Sequence, residues 1–227
     1  AALLVYPTYY GVATELAAIA DFLHEQGKLL LVDAAHGPHF AFSDELPPSA
    51  MAAGADLSAE STHKLLGSLT QTSMLLARGK RVPTERIRAA SGIVQSTSPN
   101  EILLASLDLA RAQMAESGAE RLAAAISCAH DLRRRINKIE GLWAFGAEHM
   151  GAPGMMALDP MKITAQVHPH EHGGVRLVVG KCNGHNTMPL TCKALREQAR
   201  LRLLARAVPR LDDKEFSVCH ISLSQSP

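Results

Sequence analysis

Cysteine is scarce: Cys128, Cys182, Cys192 and Cys219 are scattered through 227 residues with no tight spacing. That excludes a disulfide-stapled secreted module and predicts a reducing, cytoplasmic setting. Long apolar runs are missing as well. No stretch approaches the roughly 20 residues that cross a bilayer. No basic-then-apolar segment opens the chain as a secretion signal would, so no membrane partner is expected. An excess of one charge is the third absence. The formal net charge of +1 produces no bulk field to draw in nucleic acid or an anionic surface. The local run Arg133-Arg134-Arg135 lies in a helical pattern and is expected to be a solvated helix face.

What is present is ordinary globular material, 47% hydrophobic and 20% charged, in a chain long enough to bury a core. The opening Ala-Ala-Leu-Leu-Val-Tyr reads like the inside of a strand, which predicts that further residues precede it. Residues 2–6 form a buried strand ending at Pro7, and Val12, Leu16, Ile19 and Leu23 recur at helical spacing up to Gly27. Residues 28–33 read as a second buried strand, so that strand, helix and strand make a parallel crossover. The fold class is therefore α/β, and Asp33 falls at a strand carboxyl end, where such sheets bind ligands.

Farther on, Pro47 and Pro48 open a short helix closing near Gly54, residues 55–60 and 71–77 form strands, and 83–90 are helical. Ser98 caps a helix with Pro99 at its first position and Glu101 as the reciprocal cap. A second helix follows Gly118 and ends at Gly141; residues 142–145 and 161–167 are strands of a second, smaller unit. Beyond His168 neither strand nor helix periodicity holds through residue 192, although 193–207 has the pattern of a basic helix.

The informative stretch is residues 59–73, Ala-Glu-Ser-Thr-His-Lys-Leu-Leu-Gly-Ser-Leu-Thr-Gln-Thr-Ser. Lys64 follows His, Thr and Ser and precedes small residues, between two buried strands. Partial desolvation of such a lysine favours the neutral amine that forms a Schiff base. Nearby hydroxyls and backbone amides are suited to a phosphate. Pyridoxal 5'-phosphate needs a carboxylate opposite its pyridine nitrogen, which Asp33 offers, and a small residue flat against its ring, which Ala35 offers. The plain alternatives are a snorkelling surface lysine and an aspartate that caps a turn.

Segment 59–73 resembles the cofactor-attachment signature of the prokaryotic-type ornithine, lysine and arginine decarboxylases: small-x-Ser-x-His-Lys, the small pair Gly67-Ser68, then Thr70-Gln71-Thr72-Ser73. Pro7-Thr8-Tyr9-Tyr10-Gly11, residues 32–40, Leu46-Pro47-Pro48-Ser49-Ala50, Gly54-Ala55-Asp56-Leu57 and Gln95-Ser96-Thr97-Ser98-Pro99 are similar too, so the likeness spans residues 1 to about 166. It implies a fold type I, pyridoxal-phosphate-dependent large domain with a mostly parallel sheet, incomplete here, and the start of a small α+β domain. The implied division is 1–97 for part of the cofactor-binding domain, 98–140 for connecting helices, 141–167 for the start of the small domain and 168–227 for a divergent tail.

The implied roles run residue by residue. Lys64 forms the Schiff base, Asp33 pairs with the pyridine nitrogen, Ala35 packs on the ring, and His36 reaches its hydroxyl. Ser61 and His63 flank the lysine near the phosphate, with His63 also a candidate for proton transfer or substrate contact. Ser96 or Thr97 reaches the phosphate of a partner subunit, and Thr8 lies near the ring. The implied reaction is decarboxylation of a basic amino acid, arginine slightly ahead of lysine or ornithine, to a polyamine-pathway amine. The implied assembly is a homodimer or larger homo-oligomer with shared active sites. Two rivals stand beside it: another reaction of the fold, such as transamination, and a truncated, inactive chain.

Three departures qualify the likeness. Ala34 stands where the family commonly has an acid, the N-terminal half of the large domain has no counterpart, and residues 168–227 do not resemble the family's C-terminal domain. In that tail His168, His170, Glu171, His172, Cys182, His185 and Cys192 are ligand types zinc accepts, but their spacing fits no standard finger and no metal is predicted.

Overall fold

The computed structural model describes residues 1–167 together with two further strands, 176–179 and 221–223. The chain divides into two compact units, one of residues 1–119 with 153–156, the other of 120–152 with those from 157 onward.

The first unit is built on a four-stranded sheet. Its elements are strand β1 (Ala2–Val5), the short β2 (Val12–Ala13), helix α1 (Leu16–Glu25), β3 (Leu30–Asp33), β4 (Leu57–Glu60), the single turn α2 (Thr62–Leu65), β5 (Met74–Ala77), α3 (Thr84–Val94) and the first part of α4 (Glu101–Ile136). The sheet order is β1-β3-β4-β5. β1, β3 and β4 run parallel, as the strand–helix–strand pattern predicts, while β5 returns antiparallel to β4. The link from β4 to β5, residues 61–73, holds only the single turn α2 and no helix long enough to cross over the sheet, which suits an antiparallel return.

Period 2 divides the sheet residues between two faces. One face buries Leu30, Val32, Ser58 and Glu60, and α1 packs on β3 with Leu16 and Ala20 buried. The strand register places Val5, Asp33, Ala59 and Leu75 in one row across the other face, and all four are exposed, Val5 at 56% and Leu75 at 53%. Buried Asp56 ties the covered side together. Its carboxylate accepts the Leu30 N–H at 2.9 Å and lies 3.0 Å from His24 Nε2 and 3.4 Å from Arg81. Burial alone would push this carboxyl up, but the Leu30 N–H, His24 and Arg81 outweigh it and hold it below the usual carboxylate range. Glu60, also buried, has the Ser58 hydroxyl, 3.2 Å away, in support, and burial pushes it up.

Several local expectations are corrected. The helix expected from Pro47 to about Gly54 is absent: residues 50–54 form turns, with the Ala53 N–H bonded to Ser49 O and the Ala55 N–H to Ala50 O. Gly54 closes them at φ +97°, and a Cβ there would lie 2.9 Å from that of Ala20. Helix α4 starts at Glu101 with Asn100, not Ser98, as its cap: Asn100 Oδ1 accepts the N–H groups of Ile102 and Leu103 at 3.1 and 3.2 Å. The same helix continues through Gly118 instead of ending there. Gly118 is buried, and an added Cβ would lie 3.1 Å from the Met114 side chain and 3.4 Å from Phe42, so this glycine allows close packing.

The second unit holds the rest of α4, strand β6 (Leu142–Ala144), β7 (Ala157–Leu158), β8 (Ile163–Val167), β9 (Arg176–Val179) and β10 (Ile221–Leu223). β6, β8, β9 and β10 form an antiparallel sheet in the order β10-β9-β8-β6. β9 lies where the sequence pattern showed no period. The expected basic helix at 193–207 and the histidines and cysteines of the tail lie outside the described residues.

Arg133 overturns the solvated-face expectation for its arginine run. It is 9% exposed and donates from Nε to Phe145 O at 3.0 Å and from one terminal nitrogen to Pro160 O at 3.2 Å and Lys162 O at 3.0 Å. Burial pushes the guanidinium down, while Glu148 and Asp159 favour its charge. Arg134, by contrast, is exposed and pairs with Asp131.

Candidate active site

Three parallel strands bring three carboxyl ends to one edge of the sheet. Asp33 ends the middle strand, opposite Val5 of β1 and Ala59 of β4. Its backbone is locked on both sides: the Tyr6 N–H donates to Asp33 O and the Ala34 N–H to Ala59 O, each at 2.9 Å. Strand alternation sends Ala34 into the core and leaves Asp33 on the exposed face. The Asp33 carboxylate accepts the Ala35 N–H at 3.0 Å, so the chain's own turn fixes its rotamer. An aspartate held this way presents its carboxyl group at the edge where a ligand would be met.

The loop after β1 carries Tyr6, Thr8 and Tyr9. Tyr6 donates its hydroxyl to Pro48 O at 2.7 Å, and burial, then Glu15, pushes its phenol up to about 12. Thr8 closes a turn, its hydroxyl oxygen accepting the Val12 N–H at 3.1 Å. Tyr9 packs edge-on to His36, ring centroids 5.1 Å apart. No pattern in the sequence singled out Tyr9. Gly37 is required by close approach, since a Cβ there would lie 2.8 Å from the Pro7 ring. His39 is fully buried.

β4 leads directly into the turn α2. Ser61 is half-buried at its start, and Ser61 O accepts the Lys64 N–H at 3.0 Å. Thr62 is 1% exposed, and its Oγ1 has no hydrogen-bond partner among the described residues. His63 is anchored through Nδ1, 2.6 Å from Thr72 O; Lys64 is exposed, which corrects the partial desolvation expected of it, because the single turn α2 lifts it off the strand. Thr8, Asp33, Ala35, His36, Ser61, His63 and Lys64 thus all belong to segments leaving the same sheet edge. Ser96 and Thr97 are exposed on the link between α3 and α4; Ser96 Oγ accepts the Ser98 N–H at 3.1 Å. No hydrogen bond joins these two to the edge residues among the described residues.

These residues fit pyridoxal phosphate. A primary amine follows one strand and a carboxylate ends its parallel neighbour. A small side chain stands beside the acid, and an unsatisfied buried hydroxyl adjoins the lysine segment. Lys64 is the amine, and Asp33 the carboxylate, that leave this edge on adjacent strands.

Comparison with known proteins shows the family. The family described as Orn/Lys/Arg decarboxylase, major domain, matches residues 1–172. The arginine decarboxylase of Bacillus subtilis (strain 168) is 42% identical over 165 residues, covering 73% of this chain and 34% of that protein. The arginine decarboxylase of Halalkalibacterium halodurans is 41% identical over 165 residues, with 73% and 34% covered. The chain thus spans about a third of the length of the curated relatives it matches. In fold it is similar to the lysine decarboxylase LdcF of Francisella novicida, with a TM-score of 0.59 at 24% identity, covering 76% of this chain and 29% of that one. The architecture is that of the pyridoxal-phosphate fold type I enzymes, and the chain belongs to the Orn/Lys/Arg decarboxylase family.

Proposed function

We propose that this chain carries the cofactor-holding part of a pyridoxal-phosphate-dependent decarboxylase acting on a basic amino acid. The reading rests chiefly on one observation: Lys64 and Asp33 leave adjacent parallel strands at the same edge, inside a segment that matches this family. Arginine is the favoured substrate because four curated relatives, each 41–42% identical over 165 residues, are named arginine decarboxylases. The product is then the corresponding amine of the polyamine pathways, and the setting is cytoplasmic. No helix among the described residues is long and apolar enough to cross a membrane.

The cofactor, when bound, supplies the electron sink that lets carbon dioxide leave. The chain's residues orient and tune it. Lys64 would hold it covalently. Asp33, fixed by the Ala35 N–H, would face the ring nitrogen. Ala35 supports one ring face, His36 meets the ring hydroxyl, and Ser61 serves the phosphate. Ser96 or Thr97, exposed on their link, reach the phosphate of a second subunit in a homodimer or larger homo-oligomer.

Product analysis tests this. The chain is incubated with pyridoxal phosphate and, separately, arginine, lysine and ornithine. The expected result is an amine and carbon dioxide with no keto acid, absent in Lys64→Ala. A keto acid in place of the amine would establish transamination instead. Neither product from the wild type would favour the inactive reading.

A further inference from the structure

The segment after Lys64 makes a tight turn whose geometry points back at His63. Gln71 is the one non-glycine among the described residues with a left-handed backbone, at φ 76°. Such a conformation persists in glutamine only when its surroundings enforce it. Here they do. Thr72 is 3% exposed and Ser68 9%. The Thr72 hydroxyl lies 2.6 Å from both Leu69 O and Ser68 Oγ. A carbonyl can only accept, so Thr72 gives its proton to Leu69 O and Ser68 Oγ donates to Thr72. The Thr72 N–H adds a bond to Leu69 O at 3.2 Å. With its N–H and hydroxyl both committed inward, Thr72 turns its carbonyl to His63, meeting the backbone N–H at 3.3 Å and Nδ1 at 2.6 Å.

That last contact decides a protonation site. A carbonyl oxygen has no proton to give, so Nδ1 carries the hydrogen, and in the neutral ring the lone pair belongs to Nε2. A neutral Nε2 repels a phosphate oxygen and accepts a proton. Of the roles open to His63, proton transfer is therefore the one its anchoring supports.

We infer that the Ser68–Thr72 turn is a positioning device that holds His63 as the Nδ1-protonated tautomer and reserves Nε2 for proton exchange beside Lys64. Ser68 and Thr72 are positioning residues, acting through His63. The proton-exchange half of this inference rests on the decarboxylase reading, whereas the tautomer half does not.

Long-range proton–nitrogen NMR of the 15N-histidine-labelled 227-residue chain, without added cofactor, reads the tautomer directly. His63→Gln identifies the signal. Wild-type His63 is expected with protonated Nδ1 and bare Nε2. Thr72→Ala is expected to shift the tautomer ratio about fivefold toward protonated Nε2, the bias of one ordinary net hydrogen bond, and Thr72→Ser to restore it. Should Thr72→Ala fail to fold, Ser68→Ala, which removes a single bond to the same hydroxyl, is read in its place with the same expectation. Protonated Nε2 in the wild type would overturn the inference, as would a folded Thr72→Ala or Ser68→Ala with an unchanged ratio. Because no cofactor is present, failure of Lys64 to capture pyridoxal phosphate leaves this result standing, and the wrong tautomer leaves the decarboxylase reading standing.

Discussion

Replacing Arg133 by methionine tests the packing of the second unit at its most connected point. The guanidinium donates to the carbonyls of Phe145, Pro160 and Lys162. Each buried acceptor left unsatisfied costs about 1 kcal/mol or more. Methionine offsets part of this by filling the space without the desolvation burden of a charge, so the net loss is about 2–3 kcal/mol. With a urea dependence of roughly 1–3 kcal/mol per molar for a small unit, the unfolding midpoint falls by about 1–2 M. Trp143, the single tryptophan, lies on β6 in this unit, so its fluorescence follows the relevant transition alone. Arg133→Lys keeps the charge but loses the planar fork, and recovers less than half of the loss. A shift smaller than about 0.3 M for Arg133→Met, or a lysine variant equal to wild type, would refute the three-carbonyl account.

Two further substitutions probe buried acids of the first unit. Asp56 is held below the usual carboxylate range, so its contribution is complete above the ordinary value of 3.8 and is lost as pH falls through the lower folded value. Asp56→Asn should therefore lower thermal stability at neutral pH and flatten its decline in acid, and calorimetry across pH 2–7 should show both. Glu60 shifts the other way, because burial favours its neutral form. Its charged form weakens the fold increasingly as pH rises above the ordinary 4.5, so Glu60→Gln should raise the melting temperature at pH 7 and change little in acid. A lower melting temperature at pH 7 would show that the Ser58 bond outweighs desolvation.

Much of the first unit was readable because its signals are local. The β1–α1–β3 crossover follows from apolar runs and a helical period within one short stretch, and strand alternation then exposes Asp33 and buries Ala34. What stayed hidden depends on partners distant in sequence. Nothing around Arg133 distinguishes it from exposed Arg134; only the carbonyls of the later strand segments, brought near by folding, make it a buried donor. Gly118 looks like a helix stop until Phe42 and Met114 supply a reason for a missing side chain. Asn100 outcompeted Ser98 as the cap because its carboxamide meets two orphan N–H groups. At the edge itself Lys64 and His63 stood out by residue type, while the Thr72 carbonyl that orients His63 has no side-chain signature to find.

Borohydride reduction of the chain with pyridoxal phosphate, followed by peptide mass spectrometry, addresses the central claim most directly. The cofactor mass should appear on the peptide bearing Lys64, and Asp33→Ala should sharply reduce its yield without unfolding the chain. A label on any other lysine, or a yield indifferent to Asp33, would contradict the pairing of this amine with this carboxylate.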